Sequence, residues 1–205
     1  AEEVADQTVK TTVNQDKITY PTSRCVWSCD EGIGDDEDLY LYGSHTPKGA
    51  KIINLKSSNP KIVKAKIQDK VDIHFTRKNA GTTTLSYDLT WKEKDGTQST
   101  KHFTTKITLW KYRNPCASFS FNGKNYASKF KKHPFFWKHN LGTKVKISVK
   151  PKKGWKLVRL GYTGGKKIKN NSTIRLKKGI FTFITADFKN TKTKRVRSVR
   201  AEVVG

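Results

Sequence analysis

Strict two-residue alternation constrains this chain more than any other feature. In residues 83–91, Leu85, Tyr87, Leu89 and Trp91 fall on one side of an extended chain, and Ser86, Asp88 and Thr90 fall on the other. Residues 144–150 repeat the pattern, with Val145, Ile147 and Val149 opposite Lys144, Lys146, Ser148 and Lys150. Neighbouring side chains of a strand point to opposite faces, so both segments read as half-buried antiparallel strands. A sustained 3.6-residue apolar repeat is missing, which argues against a helical bundle. No run of about 18 apolar residues occurs, so no membrane-spanning helix is written. Neither common phosphate-cradling glycine motif is present.

The remaining strands follow the same rhythm. Residues 1–16 are polar and without period, and read as a leader or linker. A first short strand is expected at Ile18-Thr19-Tyr20, and the Cys25 to Asp38 stretch reads as a loop. Further strands are expected at 39–42, 51–55, 62–67, 71–75 and 103–112, with turn chemistry at Ser57-Ser58-Asn59-Pro60 and a hairpin at Asp95-Gly96. The second half offers strands at 117–121 and 124–126 around Asn122-Gly123, then 155–162, 172–176, 180–188 and 194–203. Residues 133–139 read as an aromatic connector. Turn signals about 8–12 residues apart with β-branched runs between them imply a sandwich, and 205 residues exceed the roughly 100 that one sandwich needs. The expectation is all-β: two tandem antiparallel β-sandwich domains, 17–114 and 115–205.

Charge divides the two halves. Residues 1–115 hold 18 Lys and Arg against 15 Asp and Glu, whereas residues 116–205 hold 24 against 2, Asp187 and Glu202. A surface serving solubility alone mixes its signs. A half nearly devoid of acids repels itself and attracts polyanions. Aromatic residues are 11 % of the chain, which a disordered basic tail would lack.

The stretch Leu55-Lys56-Ser57-Ser58-Asn59-Pro60-Lys61-Ile62-Val63, followed by Lys78-Asn79-Ala80-Gly81-Thr82-Thr83-Thr84-Leu85, resembles the bacterial immunoglobulin-like domain, group 2, over roughly residues 15–112. The resemblance implies an Ig-like sandwich on secreted or surface-anchored bacterial proteins and no catalytic residues. Gly81 would supply the positive-φ turn before the long strand. The cysteine- and acid-bearing stretch 25–38 and the long, aromatic strand at 103–112 depart from that family's minimal module. Residues 115–205 look Ig-like by pattern alone.

Cys25, Cys29 and Cys116 are disulfide candidates, either Cys25–Cys29 or a bridge from one of them to Cys116; three cysteines alone make no zinc site. Asp30, Glu31, Asp35, Asp36, Glu37 and Asp38 read as a solvated acidic loop; calcium binding and contact with the basic half are the alternatives. The histidines at 45, 74, 102, 133 and 139 are dispersed, and Cys116 with a histidine base is the one nucleophile reading open. No enzyme, cofactor or metal is expected.

The functional content lies in the basic half. Lys152, Lys153, Lys156, Arg159, Lys166, Lys167, Lys169 and Arg175, with Trp137 and Trp155, are the candidate ligand-binding residues. Ammonium groups pair with sulfate, carboxylate or phosphate, and rings stack on sugars or bases. Aromatics forming the core with lysines at its rim is the structural alternative. Lysine outnumbers arginine, which favours diffuse polyanion attraction over base-specific readout. The expected role is a non-catalytic secreted or cell-surface module for adhesion or envelope association. Its partner would be an anionic polysaccharide, wall polymer or host glycan. A structural spacer without ligand and non-specific nucleic-acid binding are the alternatives. The start Ala1-Glu2-Glu3 fits a mature chain after signal removal, or an arbitrary boundary.

Overall fold

The computed structural model describes residues 13–28, 38–163 and 165–205. These form two compact units, 13–28 with 38–111 and 112–205. Among the described residues there is no α-helix, only two short 3-10 turns at Gln15–Lys17 and Ala127–Phe130.

The first unit has seven strands: β1 (Ser23–Trp27), β2 (Asp38–Leu41), β3 (Lys51–Ser57), β4 (Val63–Gln68), β5 (Asp72–Arg77), β6 (Gly81–Lys92) and β7 (Gln98–Trp110). One sheet runs β1-β7-β6-β3 and the other β2-β5-β4. This is the strand order of an immunoglobulin sandwich, in which the second, fourth and fifth strands face a sheet built from the third, sixth and seventh. The alternation in β6 is realised: Leu85, Tyr87 and Leu89 are wholly buried and Trp91 nearly so. They meet Ile73 and Phe75 from the opposite sheet in one core.

The first strand differs from the sequence expectation. Residues 18–20 contribute only an isolated bridge, Thr19 to Ser44. The strand begins at Ser23 and takes in Cys25 to Trp27, which read as loop. It pairs in parallel with β7, with Trp27 beside Trp110 at 5.5 Å edge to face and Arg77 donating to the Trp27 carbonyl at 3.2 Å. A strand held on one edge needs little apolar alternation of its own, so its sequence hid it.

The two motifs behind the group 2 resemblance lock onto each other. The Thr83 hydroxyl accepts from the Asn59 amide at 2.9 Å and meets the Ser58 hydroxyl at 3.0 Å. Ser58 in turn accepts from the Thr84 amide at 2.9 Å, and Asn79 donates its side-chain amide to the Lys61 carbonyl at 2.7 Å. Gly81 has φ 145°, and a Cβ there would stand 2.7 Å from Ile62 Cδ1. The conformation favours glycine here, and a larger residue would also have to push the Ile62 tip aside.

The second unit has nine strands: β8 (Cys116–Phe121), β9 (Lys124–Asn125), β10 (Phe135–Lys138), β11 (Lys144–Pro151), β12 (Trp155–Tyr162), β13 (Lys166–Lys167), β14 (Ser172–Arg175), β15 (Phe181–Asn190) and β16 (Val196–Val204). A sheet ordered β14-β11-β8-β9 faces one ordered β10-β16-β15-β12-β13. Asn122 and Gly123, both at positive φ, close the two-residue hairpin between β8 and β9. The aromatic connector at 133–139 contains a strand, β10, paired in parallel with β16. Its Phe136 points into the core while Trp137 stays 57 % exposed. Phe119, Phe121, Phe130 and Phe188 fill that core with Val145, Ile147 and Val149.

The corner and the buried ionisable groups can each be tested by unfolding. Thr83→Val keeps the shape but strands the Asn59 amide, so urea unfolding should show a loss of about 1–3 kcal/mol. Thr82→Val, on the exposed face of the same strand, should cost no more than about 0.5 kcal/mol; equal losses would show that the corner does not carry the stability assigned to it. Burial, in each case the leading cause, pushes the pKa of Tyr20, Tyr87 and the Cys116 thiol above its ordinary value. All three are then neutral in the folded chain where the unfolded chain already ionises. Stability should be full below about pH 8.5 and fall as pH rises through the ordinary thiol and phenol range, about 8.5–10. A flat unfolding free energy between pH 8 and 10 would contradict this.

Candidate functional site

The predicted ligand-binding residues lie on different parts of the second unit. Lys152 and Lys153 occupy the turn between β11 and β12, which closes through Trp155 N–H to the Lys152 carbonyl at 3.1 Å. Lys156 and Arg159 sit on β12, Lys166 and Lys167 form the edge strand β13, and Lys169 lies in the loop after it; all are exposed. Arg175 belongs to the other sheet, on β14 opposite Lys144. Trp155 is half-buried and packs on the core, while Trp137 is largely exposed. The residues therefore make a distributed basic coat rather than a single patch.

Like charges face one another in that coat. Lys156 stands opposite Lys189 and Lys144 opposite Arg175 in the strand register. Directly opposed like charges destabilise a sheet, by roughly the 0.2–1 kcal/mol that opposite charges contribute. A bound anion relieves that repulsion.

One place on the coat is hollow. A groove of about 380 Å³ lies on the outer face of the five-stranded sheet. It is lined by Arg159, Gly161 and Tyr162 of β12, Phe183, Thr185 and Asp187 of β15, Ser198 and Arg200 of β16, and the Thr163 and Gly165 turn residues. Register places Arg159, Asp187 and Ser198 in one row across three strands, and Gly161, Thr185 and Arg200 in the next. Asp187 accepts the Ser198 hydroxyl at 2.6 Å. The Arg200 guanidinium lies over the Phe183 ring at 5.1 Å, and Arg159 reaches the Gly165 carbonyl at 3.4 Å. In the row beyond, Trp137 donates its indole N–H to Glu202 at 2.9 Å. Both acids of the basic half thus lie on this one face.

Of these residues only Arg159 and Trp137 were among the predicted site residues. The others carry a signal that could have found them. Phe183, Thr185 and Asp187 are the outward residues of an alternating strand, as are Ser198, Arg200 and Glu202. Two polar faces holding the last acids of a basic half mark a place where charge is arranged.

The other candidates are separated. Cys25 is exposed on β1 and Cys116 is buried at the start of β8; they are not bridged to one another. The alternative of a bridge from Cys25 to Cys116 is not formed: Cys25 is an exposed thiol on a strand of the first unit, and Cys116 is a buried thiol in the core of the second. The Cys25–Cys29 alternative and the acids at 30–37 lie outside the described residues. His102 meets the Asp88 carboxylate at 2.6 Å. Hydrogen bonds from Asn54 and then His102 hold the Asp88 carboxyl below its usual range. His74 is buried and stacks on Tyr40 at 4.8 Å, and His139 meets Phe181 edge to face at 6.0 Å. Among the described residues no group of three or more His, Cys, Asp or Glu is placed to hold a metal ion.

No protein-family model matches the chain, and no curated protein matches it. The group 2 resemblance therefore stands on its two motifs. Solved structures overlay loosely. Domains 5–6 of the S-layer protein SbsC share 10 % identity at TM-score 0.31, over 91 % of this chain and 96 % of that one. Mouse cadherin-23 EC22–24 shares 10 % at TM-score 0.33, over 92 % and 66 %. Drosophila N-cadherin EC1–4 shares 12 % at TM-score 0.31, over 90 % and 47 %. Overlays this loose leave the fold to be read from the strand order itself.

Burial pushes the Cys116 thiol up, with Lys152 pulling weakly the other way. The thiolate is the nucleophile, so burial and a raised pKa both work against reaction at this cysteine in the folded chain. At pH 8, a thiol-directed disulfide reagent should modify Cys25 rapidly and Cys116 only after unfolding in denaturant. Rapid native labelling at Cys116, located by peptide mass, would reopen a nucleophilic role.

Proposed function

We propose that the chain is a non-catalytic module of a secreted or cell-surface bacterial protein, serving adhesion or envelope association, and that residues 115–205 contact an anionic polymer or glycan. The observation that carries this reading is the charge asymmetry: 24 basic against 2 acidic residues in the later half. The opposed pairs Lys156–Lys189 and Lys144–Arg175 support it, because they make the unbound surface self-repelling. The group 2 resemblance of the first unit supports the bacterial surface setting. Lysines at turns act as mobile point charges, which suits a repeating polymer better than a fixed anion.

Binding of heparin, as a model anionic polysaccharide, should be saturable and weaken about a hundred-fold or more between roughly 50 and 200 mM salt, through counterion release. Replacing Lys152, Lys153, Lys166 and Lys167 together by glutamine should flatten the log–log salt slope by about one unit for each ammonium group that no longer pairs with the polymer. Absent or salt-insensitive binding would leave a spacer. Equal affinity for duplex DNA at about 0.15 M salt, where screening limits long-range attraction, would favour the nucleic-acid reading.

A further inference from the structure

The groove on the outer face of the five-stranded sheet differs in chemistry from the lysine coat around it. We propose that it binds one carboxylate-bearing sugar residue of an acidic glycan. Arg159 and Arg200 take the carboxylate, and Asp187, with Thr185 and Ser198, takes ring hydroxyls. This rests on the anionic-glycan reading above and narrows it to a site.

Three observations carry it. The first is shape. Gly161 and Thr185 occupy the middle row with small side chains, flanked by Arg200, Arg159 and Phe183. A Cβ at Gly161 would stand 2.9 Å from the Lys166 carbonyl oxygen, so the row cannot be filled by a larger residue without moving backbone. The hollow, about 380 Å³, falls within the ~300–1,000 Å³ span of ligand clefts.

The second is preorganisation. Arg200 lies over Phe183 at 5.1 Å, a contact that restricts its guanidinium before a ligand arrives. A planar fork held in place matches a carboxylate in two parallel hydrogen bonds and loses little freedom on doing so.

The third is Asp187. A carboxylate in a site for a bare anion repels the ligand. A sugar ring instead brings hydroxyl donors beside its acidic group, and an ionised carboxylate is a pure acceptor for them. Asp187 is one of two acids among residues 116–205, lies in register beside Arg159, and is oriented by the Ser198 hydroxyl at 2.6 Å. A mixed set of two guanidiniums, a carboxylate and hydroxyls fits an anion that also carries donors. Trp137, more than half exposed with its indole N–H held by Glu202, offers a flat apolar surface one row further along for a neighbouring sugar.

The test is a titration of the full chain followed by amide nitrogen–proton spectra, using methyl glucuronide, a methyl sialoside, methyl glucoside and inorganic sulfate as probes. At least one of the two acidic sugars should shift amides of 159–163, 183–187 and 198–200 saturably, the stronger one naming the acid class. Glucoside and sulfate should not. Asp187→Asn should weaken acidic-sugar binding about ten-fold, the order expected for a charged hydrogen-bond partner. A plain anion site would bind more tightly once that negative charge is gone, so strengthening overturns the proposal. Arg159→Gln, at an exposed position, should also weaken it. Sulfate shifts matching those of the acidic sugars would overturn the proposal too. Heparin binding is measured on the same samples. Retained heparin binding without groove shifts rejects the groove alone; lost heparin binding in the unmodified chain rejects the wider reading.

Discussion

Everything in the second unit depends on burying one face of each sheet while the other carries charge that is overwhelmingly positive. Val145, Ile147 and Val149 are almost wholly buried on β11, and Lys144, Lys146 and Lys150 leave the strand on the opposite side. Full burial of such a side chain contributes about 1.5–3 kcal/mol. That gain opposes the self-repulsion of a unit with almost no acids. The phenylalanine cluster supplies more of it: Phe119 meets Phe121 at 5.5 Å and Phe130 at 5.1 Å, both edge to face.

The first unit solves a different problem. The half of the chain that holds it, residues 1–115, mixes 18 basic with 15 acidic residues, and its distinctive device is a corner. Ser57 to Asn59 and Lys78 to Thr84 lie about twenty residues apart in sequence, yet the hydroxyls of Ser58 and Thr83 tie them into one hydrogen-bonded junction. A change in either stretch would leave amides of the other without partners. That coupling explains in physical terms why the two motifs make sense only together.

Much of this was legible from the residues. The long central strands showed their period, and residues 155–162 match β12 end for end. Two strands of more than two residues escaped, β1 and β10, and both pair in parallel with the last strand of their unit. Each is an edge strand, steadied by a neighbour rather than by its own alternation, so Cys25 to Trp27 read as loop and Phe135 to Lys138 as connector. The candidate site was legible only as composition. Counting lysines found a coat. The groove needed Arg159, Asp187 and Arg200 brought side by side from three strands, and sequence distance gives no register.

The edges of the second unit have a consequence for life at high local density. Its two sheets end in β10 and β13, and in β14 and β9. Lys138, Lys166, Lys167, Arg175 and Lys124 stand on those four strands. An open strand edge is a template for another copy, and charged edge residues oppose such stacking. The unit therefore meets a second copy at each sheet edge with like charge, which opposes strand-to-strand zipping into fibrils.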